Sequence, residues 1–163
     1  MKRGGERVAD LRLQPYAPGD RAAVAGLIGD VLAEHGFASA MPGVLRDLDE
    51  AGGRGLTAYE GLWVAEREGA IVGTVAVRKK GERTGELKRL YVRADHRGHG
   101  LGQALYVHAE QFARAAGYET LAIDSSRRFA RAHVLYESNG FALVARLDND
   151  WEDNLYEKRI CRV

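Results

Sequence analysis

Apolar residues change their spacing several times along this chain, and each change marks an element. Leu11 and Leu13 alternate with polar neighbours ahead of Gln14-Pro15-Tyr16, which predicts a first strand over Val8–Leu13. Pro18-Gly19-Asp20 reads as a turn with Asp20 as a helix cap. Ala23, Leu27, Ile28, Val31 and Leu32 then recur at three-and-four spacing, so an amphipathic helix runs on towards Gly36. Pro42–Glu50 reads as a shorter helix stopped by Gly52-Gly53. Leu62–Ala65 and Ile71–Val77 are apolar, β-branched runs joined by a hairpin connection at Glu66-Arg67-Glu68-Gly69.

A fourth strand is predicted over Gly85–Val92. Leu101, Leu105, His108, Phe112 and Ala115 line one face of a helix that stops at Gly117. Leu121 and Ile123 mark a fifth strand, Arg127–Ser138 another amphipathic helix, and Phe141–Ala145 and Asn154–Ile160 the last two strands. Leu147–Asp153 is acidic and reads as a surface loop. The result is a mixed α/β pattern in which hairpin strands precede a strand–helix–strand–helix–strand crossover. Within the fourth strand, Leu87, Leu90 and Val92 break strict alternation, because 87 to 90 is an odd step. A β-bulge would return all three to one face; packing on two buried faces is the alternative.

Composition narrows the class. The chain has 163 residues, 45% of them apolar, as expected of one domain with a single core. We expect a flexible stretch over 1–6 and one domain over 7–163. A net charge of +1 argues against a protein that coats nucleic acid, which needs a strong basic excess. No apolar run approaches the roughly 20 residues of a membrane span, and the start lacks the apolar stretch of a secretory signal. The single cysteine, Cys161, excludes an internal disulfide framework, and no His/Asp/Glu set shows metal-ligand spacing. A cytoplasmic protein with no metal, membrane or nucleic-acid partner is expected.

The most informative segment runs from Leu90 to Gln103, where Gly98, Gly100 and Gly102 alternate as a strand hands over to a helix. Glycine allows close backbone approach, and the unpaired N–H groups of a helix start favour an anion. Arg97 adds a positive charge suited to phosphate. No G-x-x-x-x-G-K-[ST] run occurs, and the dinucleotide fingerprint G-x-G-x-x-G fails from Gly98 (at Gln103) and from Gly100 (at Leu105). What remains is Arg97-x-x-Gly100-x-Gly102 after an apolar strand, a cradle for phosphate or pyrophosphate.

In this segment the sequence resembles the GCN5-related N-acetyltransferase superfamily, whose acetyl-CoA motif V-x-P-x-x-R-G-x-G-x-G-x-x-L reads here from Val92 to Leu105 with Ala94 in place of proline. A second stretch, Ala132 to Phe141, is similar to the family's A-x-x-L-Y-x-x-x-G-F motif. The resemblance covers about residues 7 to 161. It implies an acyl-CoA N-acyltransferase fold: a mostly antiparallel seven-stranded sheet with strands four and five splayed apart by a bulge, flanked by about four helices. It also implies acetyl-CoA as cosubstrate, cradled by Leu90, Tyr91, Val92, Arg97, Gly98, His99, Gly100, Leu101, Gly102 and Gln103. Where the family usually has an asparagine that contacts the pantetheine arm, this chain has Phe129, with Ser125 and Ser126 nearby.

Amine acetylation needs a base for the attacking amine and an acid for the departing thiolate. The resemblance implies Glu86 as base, and a strand glutamate paired with Lys88 or Arg83 is the plainer reading. Tyr136 is the motif tyrosine; a phenol near pKa 10 can give a proton to a thiolate whose thiol lies near 8.5. His35 and Phe37, with Glu34 and Asp148–Asp153, are candidate lining for the acceptor, expected to be a small-molecule amine, the alternatives being a protein or peptide acceptor and a CoA-binding regulatory module without turnover. His108 reads as a core histidine, and His96 and His99 as loop residues near the phosphates. Eight Lys/Arg against three acidic residues over 78–103 would attract a polyanionic cofactor. Family members often pair through their last strands, so a homodimer is a further expectation.

Overall fold

The computed structural model describes residues 10–51, 59–147 and 154–160. The expected strand start at Val8, the Gly52-Gly53 stop, the Asp148–Asp153 lining and Cys161 lie outside these residues. Seven strands form one sheet: β1 (Arg12–Pro15), β2 (Gly61–Arg67), β3 (Ala70–Lys79), β4 (Thr84–Val92), β5 (Thr120–Ser125), β6 (Ala142–Arg146) and β7 (Asn154–Arg159). The order across the sheet is β1-β2-β3-β4-β5-β7-β6. Among the described residues only the β4–β5 pair is parallel. Four α-helices accompany it among the described residues: α1 (Arg21–Glu34), α2 (Met41–Ala51), α3 (Leu101–Ala115) and α4 (Ala130–Ser138).

The helices cover both faces of the sheet, which is why its inner strands read as continuous apolar runs rather than as alternation. On one side Val24, Leu27, Ile28 and Val31 of α1 and Val44 and Leu48 of α2 pack on Leu62, Val64 and Ala76. On the other, Leu101, Leu105 and Ala109 of α3 pack on Trp63, Ala65, Val75 and Val77. His108 sits on that face with its ring edge-on to Trp63, and burial lowers its pKa, as suits a neutral core imidazole. Gly85 of β4 is enforced by packing: a Cβ there would lie 2.9 Å from the Tyr118 ring.

Of the two arrangements that the leucine spacing allows, the bulge is the one present. Thr74 faces Tyr91 and Ala76 faces Lys88, so Val75 opposes both Arg89 and Leu90. Arg89 takes a φ of 54°, and its displaced carbonyl accepts a 2.7 Å hydrogen bond from the Thr74 hydroxyl. Leu87, Leu90 and Val92 consequently join the same core. Pairing between β4 and β5 covers only Thr84–Glu86 against Thr120–Ala122; beyond it the two strands part.

Three boundaries differ from the sequence reading. β1 extends through Pro15, tolerated because β1 is a sheet edge. Asp20 precedes α1 without capping it; its carboxylate accepts the Ala17 N–H at 2.9 Å and closes the preceding turn instead. α4 begins at Ala130, three residues after the expected Arg127, because Ser126 holds the chain in a turn. The Ser126 hydroxyl oxygen accepts the Arg128 N–H at 3.2 Å, and its carbonyl accepts that of Phe129 at 3.0 Å.

Candidate active site

Two cavities open where β4 and β5 part. The larger, about 390 Å³, lies along the end of β4, the glycine turn and the start of α3. It is lined by Leu90, Tyr91, Val92, Arg97, Gly98, Gly100, Leu101, Gly102 and Gln103, with Val31, His35, Phe129 and Leu135 opposite. His99, the remaining residue of the expected cradle, is exposed and does not line it. Gly98 and Gly100 both have φ of 79°, the left-handed conformation that favours glycine, and Gly100 occupies the N-cap of α3. No side chain caps that helix start, so its first amides keep the orphan character that suits an anion.

The guanidinium of Arg97 is not left for phosphate alone. Its terminal nitrogens donate to both carboxylate oxygens of Glu34 at 2.7 and 2.9 Å, and Nε donates to the Val92 carbonyl at 3.1 Å. Those hydrogen bonds hold the Glu34 carboxyl below its ordinary range. Glu34, expected at the acceptor, is thus engaged with the cofactor loop.

The second cavity, about 240 Å³, is lined by Leu32, Phe37, Ala40, Leu87, Ile123, Lys88, Arg89, Asp124, Ser125, Ser126 and Tyr136. Leu90, Tyr91, Phe129 and Ala132 line both cavities and form the throat between them. Phe129 is its aromatic partition. Its ring lies 4.5 Å from that of His35, 5.5 Å from Phe37 and 6.4 Å from Tyr91. The two expected acceptor residues therefore fall on either side of it, His35 in the larger cavity and Phe37 in the smaller.

Tyr136 is buried at the wall of the smaller cavity. Burial raises its pKa, with Tyr91 and Tyr156 adding to the effect, so the phenol keeps its proton through the neutral range. Glu86 lines neither cavity. It is 1% exposed and lies against three cations: Arg78 at 3.0 Å, Lys88 at 3.3 Å and Lys80 at 3.7 Å. The contacts at its Oε1 are charge contacts without hydrogen-bond alignment. The carboxylate that does reach the smaller cavity is Asp124, which also pairs with Lys80 at 3.4 Å. Nothing in the spacing of β5 singles out Asp124, because its access depends on the splay from β4. Among the described residues no cluster of His, Cys, Asp and Glu is placed to hold a metal, and no helix is long and apolar enough to cross a membrane.

A family model for the GNAT acetyltransferase domain matches residues 58–143, which hold the bulge, the glycine turn, the throat and Tyr136. Mouse N-acetyltransferase 8 is 41% identical over 86 residues, covering 50% of this chain and 38% of that protein. N-acetylaspartate synthetase of Xenopus tropicalis is 36% identical over 89 residues, covering 54% of this chain and 33% of that protein. The chain thus matches less than half the length of these curated relatives. Two solved structures share the fold: a GNAT-family acetyltransferase from Staphylococcus aureus (TM-score 0.75, 14% identity, 92% of this chain and 99% of that one) and PaiA N-acetyltransferase from Thermoplasma acidophilum in complex with coenzyme A (TM-score 0.72, 16% identity, 91% and 98%). With more than half its length matched by that family model, and with the sheet and motif geometry above, this chain belongs to the GNAT acetyltransferase family.

Proposed function

We propose that the chain transfers an acetyl group from acetyl-CoA to the primary amine of a small molecule, directly, with both substrates bound together. The observation that carries this reading is the pair of cavities meeting at the Leu90, Tyr91, Phe129 and Ala132 throat. The larger has a bare helix start for the diphosphate at one end and the parted strands at the other, so a pantetheine arm laid along β4 delivers its thioester to the throat. The smaller, about 240 Å³, has room for a compact amine beside the thioester.

In this reading the main-chain amides around Leu90, beyond the end of β4–β5 pairing, polarise the thioester carbonyl and stabilise the oxyanion. Asp124, the one carboxylate among the lining residues of the smaller cavity, receives the proton of the attacking amine. Glu86, the base suggested by the resemblance, lies one ion pair further back, joined to Asp124 through Lys80, and acts on the amine only through that chain of charges. Tyr136 donates its hydroxyl proton in a hydrogen bond to the departing thiolate.

Incubation with acetyl-CoA and a panel of small amines, read by free-thiol release and by mass of the product, tests the assignment. Acetylated amine from at least one member is expected. Thiol release no faster than hydrolysis for every amine, with acetyl-CoA shown to bind, would remove the transferase reading.

A further inference from the structure

Two described residues other than glycine take left-handed backbone, Glu68 and Arg89. Glu68 lies in the β2–β3 hairpin turn, where that conformation is ordinary. Arg89 lies inside a central strand, where a Cβ is strained and glycine would be the easy choice. Its side chain supplies the reason for an arginine.

The guanidinium crosses to the α1–α2 face and closes a three-membered network. Nε donates to the Tyr59 hydroxyl oxygen at 2.9 Å, and Nη2 donates to Oδ2 of Asp47 in α2 at 3.1 Å. The Tyr59 hydroxyl in turn donates to the same Asp47 oxygen at 3.3 Å. Tyr59 is buried, while the Arg89 and Asp47 side chains keep 18% and 31% of their exposure, so water is excluded from the tyrosine side of the network only. From the sheet side, Thr74 fixes the Arg89 carbonyl. The bulge is therefore gripped on both sides, immediately before Leu90 and Tyr91, two of the four throat residues.

We propose that Asp47 and Tyr59 are positioning residues for acetyl transfer, acting through Arg89 to hold the strained bulge and with it the Leu90 main chain and the Tyr91 ring at the throat. Neither touches the larger cavity, so their loss should misplace the reacting groups without weakening the grip on coenzyme A. This inference rests on the transfer reading given above. Strain kept in place by surrounding hydrogen bonds is a recurrent feature of such sites.

The test compares Arg89→Gly, Asp47→Ala, Tyr59→Phe and the Arg89→Gly/Asp47→Ala double variant of the full chain. Arg89→Gly is informative because glycine adopts the same φ, so the bulge can persist while the tether is cut. Tyr59→Phe removes one hydroxyl and guards against misfolding of the other variants. Two readouts are taken: the kcat and KM split for acetyl-CoA, and amide hydrogen exchange over residues 87–92. Expected is a fall in kcat of about tenfold for Arg89→Gly and Asp47→Ala, with KM for acetyl-CoA changed by less than about twofold. Tyr59→Phe should show a smaller fall of the same kind, Asp47→Ala should add little to Arg89→Gly, and exchange at 87–92 should quicken while that of α3 stays slow. Wild-type kcat and wild-type exchange in Arg89→Gly and Asp47→Ala would overturn the proposal, as would fully additive losses. If the wild-type chain transfers nothing, the transfer reading fails on its own, and the exchange measurement still decides whether the tether holds the bulge.

Discussion

Arg97 clasps the Glu34 carboxylate with both terminal nitrogens, at 2.7 and 2.9 Å, and so ties the end of α1 to the glycine turn. Arg97 lines the larger cavity and Glu34 does not, so the pair neutralises a carboxylate held just behind the proposed phosphate site. Arg97→Ala should therefore raise the Kd for acetyl-CoA by about tenfold, roughly 1.4 kcal/mol, and adding Glu34→Gln should recover most of the loss. Titration calorimetry on the single and double variants checks this. A double variant as weak as Arg97→Ala would show that the arginine acts on the cofactor alone.

Phe129 closes the throat from the α4 side. Phe129→Ala should join the two cavities and admit water to the thioester. Acetyl-CoA hydrolysis without amine is expected to rise several-fold while transfer falls about tenfold, since excluding water from the reaction is part of such a site's work. Thiol release measured with and without amine separates the two rates.

Gly85 has no room for a methyl group. A Cβ would meet the Tyr118 ring at 2.9 Å, and the Tyr118 hydroxyl is anchored by hydrogen bonding to Glu60. Gly85→Ala is expected to cost about 1–3 kcal/mol by overpacking, seen as a lower urea midpoint with an unchanged slope.

Tyr118 also sets an alkaline limit. Burial, with a contribution from Glu60, pushes its phenol up to about 12, against about 10 in an unfolded chain. The folded protein then holds a proton that the unfolded chain releases, so this contribution to stability is complete below pH 10 and is lost as pH rises from about 10 to 12. Tyr118→Phe should cost about 1 kcal/mol at pH 8 and lose less than wild type between pH 8 and pH 11. Urea unfolding at the two pH values provides the comparison. Equal losses would assign the alkaline decline to other tyrosines.

What could be read from the sequence follows from how local each signal is. The bulge was legible only in part: the odd step from Leu87 to Leu90 fits either a bulge or packing on two buried faces, the family resemblance pointed to the bulge, and Arg89–Leu90 forms it opposite Val75. The cradle was legible because three alternating glycines at a helix start are a contiguous pattern. The Glu34–Arg97 clasp was not, since its members stand 63 residues apart and each also reads as an ordinary surface charge. Asp124 carries no sequence signal that sets it beside Glu86, for a related reason. Both are carboxylates on adjacent parallel strands, and only the place where pairing stops, just after Glu86 and Ala122, decides which one faces a cavity. Phe129 could be seen as a departure from a motif, but its partition role depends on rings brought in from α1's end and from β4.

In the proposed transfer, the helix start behind Gly98–Gly102 receives the diphosphate of acetyl-CoA, so that the thioester comes to the throat between β4 and β5. A crystal structure of the chain with coenzyme A tests it most directly. Diphosphate oxygens are expected within hydrogen-bond distance of the amides of residues 100–103, with the thiol beside Leu90 and Tyr136. Coenzyme bound elsewhere, or a saturating soak that leaves this turn empty, would contradict it.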